Sequence, residues 1–245
     1  MAIYRYVKRL PGREFSKGKP GKFNSKIFSS FLIVLGIFCF ANAAYPIASY
    51  QLLVSPRFSS SFVSPASEST TPSFGSPVQV LGSEVDLIDL TEASNWFPAS
   101  DVTFEENTQQ PYTLSIPKLG IFDAQVKVGG EDLKKNLIQY PGTAVPGRYG
   151  NTVIFGHSVL PQFFNPKNYM TIFSTLPTLR IKDEIWVNYP ELRFRYLIEQ
   201  MIEVTPNDIS ILAQRYDDSY LTLITCVPPG TYLKRLIVRA RLTKI

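Results

Sequence analysis

The chain has few of the side chains from which metal sites and disulfides are built. Its 245 residues include one histidine, His157, and two cysteines, Cys39 and Cys226. Cys39 lies in a long apolar run, where a thiol acts as a small apolar group, so a disulfide between the two is excluded. One histidine and one remaining cysteine do not make a common zinc site. The sequence therefore predicts no metal and no cofactor, with an oxygen-ligand calcium site left open.

Charged residues are absent from residues 27–54. About 20 consecutive apolar residues cross a bilayer as a helix, so this stretch predicts one transmembrane span. Residues 1–26 carry eight basic side chains and one acidic one, whereas residues 27–117 carry one basic and eight acidic. By the positive-inside rule, the N-terminus is expected in the cytoplasm and the large C-terminal part outside the cell membrane.

A cleaved signal peptide is the alternative interpretation of this stretch. Ala41, Asn42 and Ala43 resemble a small-residue cleavage site, with cleavage after Ala43. Apolar residues nevertheless continue to residue 54, and the two tyrosines in that continuation, Tyr45 and Tyr50, suit a membrane interface. The sequence favours an uncleaved signal anchor and leaves the cleaved form open.

The basic residues do not indicate a nucleic-acid-binding protein. A nucleic-acid site needs a basic face on the folded part of the chain. Here the densest basic cluster precedes the apolar stretch, while the net charge of the whole chain is only +5. We therefore expect a membrane protein without a nucleic-acid partner.

From residue 111 onward, short apolar runs alternate with glycine and proline turns. Seven segments have the composition of strands: 112–116, 122–128, 152–155, 185–189, 194–204, 220–226 and 235–242. Helical signals are limited to a short pattern at 131–137 and to a helix start in which Thr205 is the capping residue and Pro206 the first-turn proline. Seven or more short strands without regular helices between them predict a barrel or a sandwich.

Three residues in this region have the chemistry of a thiol enzyme. Cys226 ends a strand-like run, His157 follows another, and Arg235 opens the next run nine residues after the cysteine. A thiolate attacks carbonyls, a histidine transfers its proton, and an arginine stabilises the charge that develops on oxygen. Each residue taken alone also has a structural interpretation. Cys226 is then a buried packing residue, His157 a hydrogen-bonding residue and Arg235 a surface cation. The three together favour catalysis.

The segments around these residues resemble the sortase family. Residues 222–226, Thr-Leu-Ile-Thr-Cys, resemble the TLxTC signature, and Arg235 has the expected spacing from it. Residues 114–121 resemble the opening strand of the family, and residues 140–144 and 147–156 resemble the approach to its histidine, here His157. The resemblance covers about residues 111–245, with four segments in the expected order.

This resemblance implies an eight-stranded, mainly β sortase barrel with a few short helices, and a cysteine transpeptidase. In that scheme Cys226 is the nucleophile, His157 the acid and base, and Arg235 the residue that stabilises the oxyanion or orients the peptide, while Thr225 is a candidate substrate-binding residue. The implied partners are secreted proteins with a C-terminal sorting motif and an amine acceptor, either a peptidoglycan precursor or a protein lysine. The motif, the acceptor and the subclass are not predicted.

The predicted organisation has five parts. They are a basic cytoplasmic tail (1–26), a transmembrane signal anchor (27–54), a linker rich in Ser, Thr and Pro (55–77), an acidic N-terminal extension (78–110) and the catalytic domain (111–245). The extension has two interpretations. It packs irregularly on the domain surface, or it is a lid that places Trp96 and Phe97 over the active-site groove, although it lacks the Asp-Pro-aromatic pattern of pilin-polymerising sortases.

Two departures and two alternatives stay open. Ser158 follows the histidine where many relatives have arginine, and Lys182 stands where glycine is common. An extracytoplasmic cysteine peptidase would use the same Cys226 and His157, and a tethered binding domain would use neither.

The resting protonation state of the Cys226 and His157 pair is undecided. Reference pKa values favour the neutral pair by a free energy of about 2.7 kcal/mol, whereas attraction between thiolate and imidazolium favours the ion pair by about 4 kcal/mol.

Overall fold

The computed structural model describes residues 25–58, 91–96, 110–189 and 191–243. They fall into two compact units, 1–44 and 45–245. Residues 59–90 and 97–109, which hold most of the predicted linker and extension and include Phe97, lie outside the described residues. The predicted domain boundaries therefore stay predictions.

An apolar helix, α1, spans Ser25–Ser49 and continues as a π-helical turn, Tyr50–Val54. Among the described residues, one helical stretch, Phe28–Arg57, is long and apolar enough to cross a membrane. Its large side chains between residues 28 and 40 are exposed to the surroundings. Residues 28–49 are long enough for the apolar span that the sequence predicts, whereas Tyr50 and Val54, at the end of the predicted stretch, pack against the barrel core.

Eight strands close into a barrel, which confirms the predicted fold class. The strands are β1 (Tyr112–Ile116), β2 (Ile121–Val128), β3 (Leu137–Gln139), β4 (Gly150–Phe155), β5 (Glu184–Tyr189), β6 (Leu192–Val204), β7 (Ser219–Val227) and β8 (Lys234–Thr243). Their order around the barrel is β1-β2-β3-β4-β7-β8-β6-β5. Strands β4 and β7 pair in parallel, and β8 pairs antiparallel with both β7 and β6. The ends of β4 and β7 therefore meet at one edge.

Side chains alternate between two apolar clusters because successive residues of a strand point to opposite faces. The inner cluster receives side chains from all eight strands and includes Leu221 and Leu223 of β7. The outer cluster lies on β3, β4, β6, β7 and β8 and includes Ile224 and Cys226. Cys226 thus belongs to the outer face of the sheet and not to the barrel interior.

The structure corrects two local predictions. Residues 131–136 form turns and a bridge between Glu92 and Asp132, and residue 137 begins β3, so the predicted helix at 131–137 is wrong and a strand stands where none was predicted. A strand of three residues is too short to show an alternating pattern. The predicted helix start is a short 3-10 turn, Ile209–Leu212, and its capping residue is Asp208, whose side chain accepts a hydrogen bond from the Ser210 amide. Thr205 is therefore not the cap.

Lys182 has a φ of +75° just before β5. A left-handed backbone favours glycine, because other side chains crowd the following carbonyl. The backbone of this turn therefore favours glycine at position 182, where this chain has lysine.

Candidate active site

Cys226 and Arg235 face each other across a strand pair. They are directly paired residues in the antiparallel register of β7 and β8. Side chains of directly opposed residues lie on the same face of a sheet, with Cβ atoms about 5 Å apart. The nine-residue spacing in the sequence therefore corresponds to a tight β-hairpin connection that brings a thiol beside a guanidinium.

The Cys226 thiol is buried. The residue is only 5% exposed, although the turn sequence Pro228-Pro229-Gly230 follows one residue later. Burial raises the pKa of Cys226 to about 11, and the nearby Arg235 charge lowers it only in part. In this environment burial favours the neutral thiol over the thiolate.

The segment that carries His157 is fixed along β7 by three hydrogen bonds. The Gly156 amide donates to the Ile224 carbonyl at 3.2 Å. The Ser158 hydroxyl donates to the Cys226 carbonyl at 2.8 Å, and the buried Thr225 hydroxyl donates to the Gly156 carbonyl at 2.9 Å. His157 lies between the first two bonds, so its backbone runs along the end of β7, where Cys226 stands.

Close packing requires glycine at position 156. A Cβ atom there would lie 2.3 Å from the Phe173 ring and 2.7 Å from Leu137. The Phe173 amide also donates to the His157 carbonyl at 3.1 Å. The backbone on both sides of His157 is therefore held against the barrel core.

The His157 ring has a contact that restricts its tautomer. Nδ1 lies 3.1 Å from the Ser158 carbonyl oxygen. A carbonyl only accepts hydrogen bonds, so this contact requires the proton on Nδ1. In the neutral ring Nε2 is then the basic nitrogen, which is the form that a proton acceptor needs.

Arg235 is held by backbone carbonyls and by an aromatic ring. The residue is 2% exposed, and burial lowers its pKa. Its Nη1 donates to the Tyr232 carbonyl at 3.1 Å, and its Nη2 donates to the Trp96 carbonyl at 3.3 Å. Its Nε is buried and has no hydrogen-bond partner within the described parts of the chain. A buried cationic donor without a partner is suited to an incoming oxygen.

Trp96 packs against this arginine from the N-terminal extension. The residue is fully buried and stacks on Phe155, with ring centroids 5.4 Å apart. The Arg235 guanidinium carbon lies 5.4 Å from the Trp96 ring centroid. Trp96 and Cys226 belong to the same outer cluster. The extension thus reaches the cysteine site itself.

The preceding turn of the extension is anchored on the loop before β3. The Ala93 amide donates to the Glu131 carbonyl at 3.0 Å, and the Leu133 amide donates to the Thr91 carbonyl at 3.0 Å. These two backbone bonds make a single antiparallel bridge between Glu92 and Asp132, outside the eight strands of the barrel. Trp96 is therefore presented by an ordered turn.

Together these contacts build a site for acyl transfer. The Cys226 thiol and the Arg235 guanidinium lie together at the shared edge of β4, β7 and β8, and hydrogen bonds place the backbone of His157 at the same edge. The described residues contain no group of three or more side chains that could hold a metal ion. The chemistry available at this edge is nucleophilic attack on a carbonyl, with proton transfer by the imidazole.

The profile of the Sortase domain matches residues 114–243, more than half of the chain. The chain belongs to the sortase family. A relative, Sortase A of Bacillus anthracis, is 27% identical over 160 residues, which cover 64% of this chain and 67% of the relative. Family membership makes this chain a cysteine transpeptidase.

Two solved structures are also similar to this sortase. One is a Sortase D5 transpeptidase of Clostridium perfringens, with 27% identity, a TM-score of 0.48, and coverage of 57% of this chain and 82% of that one. The other is a pilus-related Sortase C of Group B Streptococcus, with 28% identity, a TM-score of 0.49, and coverage of 57% and 70%.

Sequence reasoning named the three chemical residues but not the side chains that hold them. Ser158 bonds the nucleophile's own carbonyl, and the Trp96 backbone carbonyl accepts a hydrogen bond from Arg235, whereas the sequence suggests only a lid position for Trp96. Thr225 places its hydroxyl on Gly156, so its predicted role in substrate binding stays a prediction. Phe97 lies outside the described residues.

Proposed function

We propose that this sortase is a membrane-anchored transpeptidase, with the N-terminus in the cytoplasm and the barrel outside. It cleaves a C-terminal sorting motif of secreted proteins and passes the acyl group from Cys226 to an amine of a peptidoglycan precursor or a protein lysine. The observation that carries the proposal is the direct pairing of Cys226 with Arg235 next to the fixed His157 segment.

The reaction begins with proton transfer from the thiol to the imidazole. The Cys226 sulfur attacks the carbonyl of the motif, and the electron pair moves to the carbonyl oxygen, where Arg235 stabilises the negative charge. The tetrahedral intermediate collapses to a thioester when His157 gives its proton to the leaving amine. In the second half, His157 takes a proton from the incoming amine, which attacks the thioester and releases the thiolate.

The raised pKa of the Cys226 thiol determines when its proton transfer to the imidazole begins. Because burial holds the pKa of Cys226 at about 11, the thiolate forms efficiently only after the local environment changes. Substrate that displaces Trp96 would change the packing around both Cys226 and Arg235. This supports the interpretation of the extension as a lid, with Trp96 as its described contact and Phe97 as its neighbour.

The transpeptidase proposal is tested with the full chain in detergent and a library of sorting-type peptides, with and without a peptide amine. Wild type is expected to form a thioester and an amide product, and Cys226→Ala to form neither. Cys39→Ala is the matched control and should keep full activity. An acid product at the same rate with and without the amine would instead identify a hydrolytic cysteine peptidase.

The lid is tested by the accessibility of the thiol in a Cys39→Ala background. Trp96→Ala should speed alkylation of Cys226 by iodoacetamide about tenfold or more, because it removes the ring that packs over the cluster. Trp186→Ala, which changes the other tryptophan of the chain, should leave the rate unchanged. Circular dichroism separates opening of the lid from unfolding. Equal rates for folded Trp96→Ala and wild type would remove the lid proposal.

A further inference from the structure

One buried carboxylate joins the segment after helix α1 to the barrel. Glu203, the next-to-last residue of β6, exposes 6% of its side chain. The Tyr50 hydroxyl donates to Oε1 at 2.7 Å, and the Ser55 hydroxyl donates to Oε2 at 2.9 Å. Lys234 Nζ donates to Oε2 at 3.0 Å. These four residues form what we call the Glu203 clamp.

Apolar packing supports the clamp. Tyr50 is 5% exposed and belongs to the inner cluster, and Val54 and Phe58 pack against the same cluster. The segment 50–58 therefore closes over the barrel core at the edge where β6 and β7 end and β8 begins. A buried carboxylate is stable there because each oxygen accepts a hydrogen bond, one of them from a cation.

The clamp lies one residue from the catalytic pair. Lys234 immediately precedes Arg235, and Val204, which follows Glu203, is the direct partner of Arg235 in the register of β6 and β8. Arg235 Nη1 also contacts the Lys234 carbonyl at 3.4 Å. Movement of the start of β8 would therefore move the guanidinium.

We propose that Glu203 is a positioning residue that fixes the start of β8, and with it Arg235, against Cys226. Tyr50 and Ser55 hold its carboxylate in place from the segment after α1. The segment 50–58 is thus a working part of the active site and not only a connection to it. The inference rests on the proposed function, in which Arg235 acts on the substrate oxygen beside Cys226.

The position of Arg235 can be measured without any substrate. The Arg235 charge lowers the pKa of the Cys226 thiol, so a displaced guanidinium raises the pH midpoint of thiol alkylation. The measurement uses the full chain in detergent, in a Cys39→Ala background, with iodoacetamide as the probe. Tyr50→Phe and Ser55→Ala change no charge and should raise the pH midpoint of alkylation by about half a unit. At a fixed pH below the midpoint, alkylation should then be roughly threefold slower than in the background protein.

Control variants separate positioning from a general loss of stability. Tyr45→Phe changes an exposed tyrosine of the same helix and should leave the midpoint unchanged. Glu203→Gln removes a negative charge, which by direct electrostatics would lower the midpoint, so a rise reports a displaced Arg235. The Tyr50→Phe shift should vanish in an Arg235→Gln background, because no guanidinium remains to be displaced.

Two results would overturn the proposal. One is an unchanged midpoint in Tyr50→Phe and Ser55→Ala, and the other is a shift that persists in the Arg235→Gln background. A lowered melting temperature with an unchanged midpoint would show a structural role only. Because alkylation needs neither a sorting peptide nor an amine, its outcome is independent of the turnover test for the proposed function.

Discussion

The burial of Cys226 gives this single residue an effect on the stability of the whole domain. A thiol whose pKa is near 9 when exposed and about 11 when buried holds its proton more tightly in the folded chain. The folded state is favoured by this difference at pH values below 9. The contribution is lost as the pH rises through 11.

This linkage predicts a difference between wild type and Cys226→Ala that depends on pH. The free energy of unfolding of wild type, relative to the variant, should fall by about 2 kcal/mol between pH 7 and pH 10.5. Denaturant titrations of both proteins in the same detergent measure it, and the variant corrects for the titration of tyrosines and lysines. A difference that does not change with pH would show that burial does not shift this thiol.

Ser158 is the second residue with a measurable role. Ser158→Ala removes the hydrogen bond to the Cys226 carbonyl and should cost about 1 kcal/mol of stability. Because the bond fixes the His157 segment along β7, kcat should fall more than KM rises. Thr178→Ala, at an exposed threonine outside the site and outside the β6–β7 loop, should change neither constant. A Ser158→Ala enzyme with wild-type kcat would show that His157 is positioned by other contacts.

Among the elements, the loop between β6 and β7 is tied to the barrel by buried polar groups. The Thr222 hydroxyl donates to Asn151 Oδ1 at 2.7 Å. The Asn151 side chain donates to the Ile211 carbonyl at 3.4 Å, and its backbone exchanges two bonds of 3.0 Å with the Gln214 side chain. The resemblance to sortases implies that the region between β6 and β7 contributes to the choice of sorting motif. We therefore expect this anchored loop to present a preformed surface to the peptide.

Thr222→Val tests that loop anchor. The change keeps the shape of the side chain and leaves the buried Asn151 oxygen without its donor, which should cost about 1–3 kcal/mol. Amide hydrogen exchange of residues 205–218 should accelerate, and KM should rise more than kcat falls. Thr113→Val, at a partly exposed threonine of β1, is the matched control. Unchanged exchange in the loop would contradict the anchoring role.

Element prediction from the sequence succeeded where the patterns were long. The seven strands with several alternating or apolar residues are present within one to two residues of their predicted ends. Strand β3 was missed because three residues are too few to show a strand pattern in the sequence. The strand is defined instead by its backbone pairing with β2 and β4. The predicted helix at 131–137 was wrong for a related reason, since the N-terminal extension pairs with that loop.

At the scale of the whole molecule, the charge distribution around the apolar stretch predicts topology. In intact cells, a membrane-impermeant maleimide should label a Tyr216→Cys variant, whose site is exposed on the barrel, and should not label a Lys8→Cys variant. Both variants carry Cys39→Ala and Cys226→Ala. Labelling of Lys8→Cys in intact cells would reverse the proposed orientation.

The same experiment addresses cleavage of the anchor. An uncleaved signal anchor keeps residue 8 on the same polypeptide as the barrel, so labelling at position 8 after cell lysis should appear on the full-length protein. Cleavage after Ala43 would instead leave the label on a short fragment. The two results separate the alternatives that the sequence left open.

The sequence by itself determined which chemistry is available and in what kind of fold. The chemistry is readable from single positions: one histidine, one cysteine outside the apolar stretch and one arginine at a hairpin spacing. The kind of fold is readable from the strand patterns and from the run without charge. Tertiary structure alone decided that the thiol is buried, that Trp96 holds Arg235, and that Tyr50 and Ser55 hold Glu203. These contacts join residues 139 to 153 positions apart. Pairings over such separations depend on how the closed barrel brings its strand ends together, and no local pattern encodes them.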